Sequence, residues 1–142
     1  MFGERNSILN RQHLIDLLKS RGIQPTQQRL EIAVTLFARP QHVSAEDVLA
    51  LVNRGQARVS KATVYNTLGL FADKGLVREV IVDPSKVFYD TNTTDHHHFY
   101  NVDTNTLVDI DAGDVALAKV PPSPEGTVAV GVDVIIRLRS ES

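Results

Sequence analysis

Val59-Ser60-Lys61-Ala62-Thr63-Val64-Tyr65-Asn66-Thr67-Leu68, running on to Gly75, is the stretch whose reading decides the fold. Ser60 is a good N-cap, and a helix from Lys61 to Lys74 would bury Val64, Leu68 and Phe71 at i, i+4 and i+7. Gly75 can end that helix as a left-handed C′ residue. Immediately after it the pattern changes from helical to alternating. Leu76 to Val82 and Val87 to Tyr89 are rich in β-formers, with the turn-forming Asp83-Pro84-Ser85-Lys86 between them.

Working upstream, three more helices are expected. Gln12 to Arg21 carries Leu14, Ile15, Leu17 and Leu18 on one broad face and meets Gly22. Pro25-Thr26 opens a second, with Leu30, Ala33, Val34 and Phe37 at helical spacing and Pro40 just beyond. Ser44-Ala45-Glu46-Asp47 opens a third, with acids where the helix dipole favours negative charge and with Val48, Leu51 and Val52 inward. Three helices and a hairpin, with an extra helix in front, describe a winged helix.

Downstream, the chain reads as strands. Phe99 to Val102 and Leu107 to Ile110 flank a polar turn, and Asp114 to Lys119 is predicted as a short helix ended by Pro121-Pro122-Ser123-Pro124. The last segment alternates, with Val128, Val130, Val132, Val134, Ile136 and Leu138 on one face of a predicted strand. A sheet of this size cannot bury that row alone, so a second copy is expected to cover it. The fold class is therefore α+β. A winged-helix DNA-binding domain over 1–90 is expected to be followed by a small α/β dimerisation domain over 91–142, to which the histidines read below add metal sensing.

Charge follows the same division. Residues 1–78 carry 11 Lys+Arg against 6 Asp+Glu, and residues 79–142 carry 4 against 11. A basic front half suits a polyanion partner and an acidic back half does not. On the fourth helix, Ser60, Lys61, Thr63, Tyr65, Asn66 and Thr67 lie off the apolar stripe and form a plausible major-groove face. Lys61 suits phosphate or guanine, Asn66 adenine, and Thr63 and Tyr65 a thymine methyl group. Arg29 and Lys86 are expected phosphate contacts, which set register rather than sequence.

The other chemical signal is His96-His97-His98, with Asp90 before it and Asp109 after it. Imidazoles with carboxylates are a ligand set for a divalent transition metal. The i, i+2 spacing puts His96 and His98 on one side of an extended segment. The chain has no cysteine, so disulfides, thiolate catalysis and Cys-type structural zinc are excluded and any metal must take nitrogen and oxygen donors. A metallohydrolase would need an open coordination position and a general base, and no separate Glu motif, nucleophile elbow or phosphate loop appears. A metal store or structural dimer without DNA affinity is the third class. No apolar run is long enough to span a bilayer and the first residues lack a signal-peptide core, so no membrane association and a cytoplasmic location are expected.

The Ala62-Thr63-Val64-Tyr65 core, with Pro25-Thr26-Gln27-Gln28-Arg29 and His42-Val43-Ser44-Ala45-Glu46-Asp47 upstream, resembles the ferric uptake regulator (Fur) superfamily. Phe88-Tyr89-Asp90-Thr91-Asn92, His96-His97-His98-Phe99-Tyr100 and Val132 to Arg139 make it most similar to the iron response regulator (Irr) branch. The resemblance implies a homodimeric repressor, with pairing into higher assemblies left open. It would bind a double-stranded DNA operator near iron and haem genes, and it is not an enzyme. A metal-binding regulator of the same superfamily responding to manganese, zinc or peroxide stress is the alternative. The resemblance further implies that one ion (Zn, Fe or Mn) is held by His42, Asp90, His96, His98 and Asp109. His42 would belong to the DNA-binding half, so the ion would act as a switch. Asp95 and His97 match two positions of a second family site, but Val132 stands where that site has a histidine. Asn101 and Thr104 stand where the first Cys-x-x-Cys pair of many relatives would be. The branch also responds to haem, which makes haem a second candidate effector with the histidine cluster as axial donor. The cysteine-based haem motif of some members is missing.

Overall fold

The structure, a computed structural model, describes residues 4–55 and 58–142. The chain divides into two compact units, one running to Thr93 and the other spanning Thr94–Ser142.

In the first unit the helices are α1 (Glu4–Ser20), α2 (Gln27–Leu36), α3 (Ala45–Val52) and α4 (Lys61–Asp73). Their starts are set by side chains. Thr26 accepts from the Arg29 amide, Ser44 from the Asp47 amide and Ser60 from the Thr63 amide, each satisfying one amide the helix leaves unbonded. At Ser44 the device is reciprocal, because the Asp47 carboxylate also accepts from the Ser44 amide at 3.1 Å. Gly22 and Gly75 sit at φ 72° and 75° just past α1 and α4, where an L side chain would be strained.

Leu18, Ile32, Leu36, Val48, Val64, Leu68 and Phe71 are wholly buried and form one core with Val43, Val59, Leu76 and Val77. The stripe on α2 differs from the predicted one: Ile32 and Leu36 are buried with Leu30 and Ala33, while Val34 and Phe37 pack at the margin. Thr67, read as part of the polar face of α4, is buried beside Leu68. It lies three residues after Val64 and four before Phe71, on a helix buried over a wide arc.

The hairpin pairs β2 (Arg78–Asp83) with β3 (Lys86–Asp90), antiparallel, with an irregularity between Ile81 and Asp83. A two-residue strand that the sequence did not signal, β1 (His42–Val43), adds to the other edge of β3, so the sheet runs β1-β3-β2. Gln41 locks it. Its side-chain amide donates to the Thr35 and Leu36 carbonyls at the end of α2, and its backbone amide donates to Thr91 Oγ1 at 3.2 Å.

The second unit is a sheet of order β5-β4-β6. The central β4 (His96–Asn101) contains all three histidines; it pairs antiparallel with β5 (Thr106–Asp111) and parallel with β6 (Ile135–Leu138). Two expectations are corrected here. The helix predicted over 114–119 is a single 3-10 turn, Ala112–Asp114, with no side-chain cap at Asp111. Six residues before a proline-rich tract are too few to repay helix nucleation. The strand predicted from Val128 pairs only over Ile135–Leu138, opposite His98 to Asn101 of β4. In that parallel register residues before 133 fall ahead of His96, where β4 begins, and Val128 and Val130 stand 85% and 102% exposed.

Candidate functional site

Each unit carries part of the predicted ligand set. In the first, β1 pairs with β3 so that His42 lies directly opposite Asp90. His42 Nε2 is 3.3 Å from Asp90 Oδ2, and Asp90 is buried. The other carboxylate oxygen, Oδ1, accepts from the Asn92 amide at 2.9 Å, which fixes the rotation of the group. The pair therefore depends on a strand only two residues long, whose position Gln41 and the Ser44 cap hold from either side.

In the second unit, alternation along β4 puts His96 and His98 on one face, their ring centroids 4.6 Å apart, and the antiparallel register sets Asp109 opposite His98. Asp109 Oδ1 lies 3.3 Å from Nε2 of both imidazoles. His96 Nδ1 is 2.6 Å from the Thr94 carbonyl oxygen, so the ring N–H on that nitrogen donates there and sets the ring's orientation. All three N···O separations are longer than the 2.7–2.9 Å of a charge-assisted hydrogen bond. They fall within the ligand-to-ligand spacings, roughly 2.9–3.6 Å, of an ion with four or five ligands and bonds near 2.0–2.1 Å. The donor chemistry fits too. The first unit offers one imidazole and one carboxylate, the second two imidazoles and one carboxylate, and such donors, lacking thiolate, suit Mn, Fe or Zn.

His97 points to the other face of β4. Its Nδ1 accepts from the Val134 amide at 3.0 Å, which ties down the residue before β6, and leaves Nε2 as its remaining nitrogen. Asp95 is exposed.

The residues expected to meet DNA all belong to the first unit. Arg29 borders a cleft of about 270 Å³ together with Thr26, Gln28, Thr63, Asn66 and Thr67, and its guanidinium donates to the Gln24 carbonyl at 3.0 Å. Ser60 Oγ, besides capping α4, donates to Thr63 Oγ1 at 2.9 Å, so both hydroxyls are partly engaged locally. Lys61 Nζ stands 5.7 Å from the centre of the Tyr65 ring, and Lys86 Nζ of the hairpin 5.3 Å from that of Phe88. Tyr65 donates its phenol proton to the Glu46 carboxylate on α3. Sequence reading missed Glu46, because a contact across 19 positions between two surface residues leaves no periodic trace.

Residues 20–120 match the model of the ferric uptake regulator family. The chain belongs to the ferric uptake regulator family. The peroxide-responsive repressor PerR of Staphylococcus aureus (strain Mu50) is 32% identical over 92 residues, which are 65% of this chain. The chain spans 62% of that repressor's own length. Among solved structures, the ferric uptake regulator of Pseudomonas aeruginosa, determined with manganese, superposes with a TM-score of 0.67 at 24% identity, over 89% of this chain and 97% of the other. The ferric uptake regulator of Francisella tularensis, determined with iron, gives 0.67 at 20% identity, over 84% and 93%. The fold is thus that of the ferric uptake regulators, a family of transcriptional regulators rather than enzymes. No helix among the described residues is long and apolar enough to cross a membrane.

Proposed function

We propose that this member of the ferric uptake regulator family is a metal-gated transcriptional repressor that binds a DNA operator as a homodimer in the cytoplasm. The observation that carries the reading is the pair of half-sites, one in each unit, whose nitrogens and oxygens stand an ion's edge apart. A single divalent ion held by His42, Asp90, His96, His98 and Asp109 would fasten the α4-bearing unit to the β4 sheet. Operator half-sites have a set spacing, so fixing that angle in both protomers controls affinity. An ion that binds only the fastened form favours it by about 2.7 kcal/mol at 100 times its dissociation constant, roughly a hundredfold in operator binding. Arg29, Ser60, Lys61, Thr63, Tyr65, Asn66 and Lys86 supply the DNA surface. The exposed row of Val128, Val130 and Val132 supports the homodimer, since a second copy of the same segment would cover it.

For the effector we propose iron in the manner of the iron response branch. Haem would be a competing ligand, because it would draw on the same imidazoles the ion uses. Similarity to a peroxide-responsive repressor favours, as a second reading, a metal site that senses peroxide. The test is elemental analysis of the purified full chain, with operator binding measured with and without chelator. Metal near one equivalent per chain and operator affinity that changes on chelation support the reading. Replacing both His96 and His98 with Ala should weaken metal and alter operator binding; unchanged values of both defeat it. A Soret shift on adding haem, lost when the three histidines are replaced, separates the haem arm.

A further inference from the structure

We infer that Glu46 is a positioning residue for DNA discrimination: by taking the phenol hydrogen bond of Tyr65 it fixes which part of that ring the recognition helix offers to a base pair. The inference rests on the reading of α4 as the element that meets the duplex.

Glu46 is the second residue of α3 and Tyr65 lies on the exposed face of α4, so the bond crosses between two helices. An exposed tyrosine ordinarily leaves its hydroxyl to water. Here the donor is committed to a carboxylate, a stronger bond than one between neutral groups. The bond pushes the phenol up from its ordinary range, and it draws the Glu46 carboxyl below its own. Lys86 and Lys61 lower the carboxyl further. Around neutral pH the phenol keeps its proton and the carboxylate its charge, so the donor and acceptor roles do not exchange.

Two consequences follow. A phenol whose only proton is committed cannot donate to a phosphate, which accepts only. Lys61 stands over the ring, so the ring's remaining carbon edge is left for apolar contact, the kind of contact that distinguishes a thymine methyl group. The carboxylate also lies in the electrostatic reach of a hairpin lysine and a recognition-helix lysine, and it borders with Tyr65, Pro84 and Lys86 a groove of about 470 Å³. In that groove the carboxylate stands beside Lys86 and offsets part of the charge that lysine presents to a phosphate.

The experiment uses the full chain saturated with Mn²⁺, a duplex selected by the wild type from a randomised pool, and a scrambled duplex of the same composition. Glu46→Ala and Tyr65→Phe should each lower the ratio of selected to scrambled affinity by about five- to tenfold, and the double variant should lower it no further. Glu46→Gln keeps an acceptor and should restore most of the ratio. A ratio unchanged by Glu46→Ala, or losses that add in the double variant, would overturn the inference. A second arm needs no DNA: the phenol titration of Tyr65, followed by NMR, should move back toward the ordinary tyrosine value in Glu46→Ala. Absence of that movement removes Glu46 while leaving the operator reading intact. A wild type that selects no duplex, with the phenol movement still present, removes the operator reading and this inference with it.

Discussion

Ser44→Ala isolates the device that sets both α3 and the strand carrying His42. Ser44 is 3% exposed; its Oγ accepts from the Asp47 amide at 3.1 Å and its amide donates to the Asp47 carboxylate at 3.1 Å. Alanine deletes the first bond and leaves the Asp47 amide without that acceptor. Loss of a helix N-cap costs about 0.5–2 kcal/mol, and near burial puts this one in the upper half of that range. For a domain of this size each kcal/mol lowers the melting midpoint by roughly 4–8 °C. Glycine at an N-cap costs only a few tenths, so Ser44→Gly should be the milder change. That order is the reverse of general helix propensity. Urea unfolding followed by far-UV circular dichroism, with chelator present, gives the three stabilities. Equal stability of Ser44→Ala and wild type, or Ser44→Gly worse than Ser44→Ala, would refute the capping argument.

Four further outcomes are expected. Leu68→Ala empties a wholly buried site on α4 and should cost about 2–5 kcal/mol in the same unfolding assay. Gly75→Ala forces a side chain onto a residue at φ 75°, where its Cβ would also come 3.3 Å from the Arg21 guanidinium; a loss of about 1–2 kcal/mol is expected from denaturation midpoints. The Asp109 side chain is 48% exposed, so Asp109→Ala should fold normally, yet it removes the oxygen that both imidazoles face. Its metal affinity by calorimetry should fall by more than the ~10–100-fold that losing a supporting partner costs. Val130→Asp places charge on a residue with no cover in the single chain and should shift light-scattering mass from dimer toward monomer without lowering the helix signal.

What could be read in advance was whatever repeats or caps. Ser44, Ser60 and Thr26 announce helix starts because an N-cap is a local chemical requirement, and Gly75 announces an end for the same reason. The spacing of His96 and His98 announced a shared face because strand alternation is fixed. Features that depend on a distant partner escaped. β1 is two residues long and exists only because β3 offers an edge, so nothing within His42-Val43 marks it. The alternation from Val128 onward does describe an apolar row, but pairing depends on a neighbour, and β4 begins too late in the parallel register to reach it. Glu46 looked like an ordinary first-turn acid, and only the approach of α4 to α3 gives it Tyr65. His97 was legible as facing away from its neighbours, whereas its bond to the Val134 amide joins positions 37 apart.

Calorimetric titration of the metal-free full chain with Zn²⁺, run on the wild type, His42→Ala, His98→Ala and the double variant, bears most directly on the proposed switch. One ion held jointly predicts a single binding event per chain, weakened by either substitution, with losses in the double variant that do not add. Two separate events, or a His42→Ala variant that binds as tightly as wild type at the site His98→Ala destroys, would contradict it.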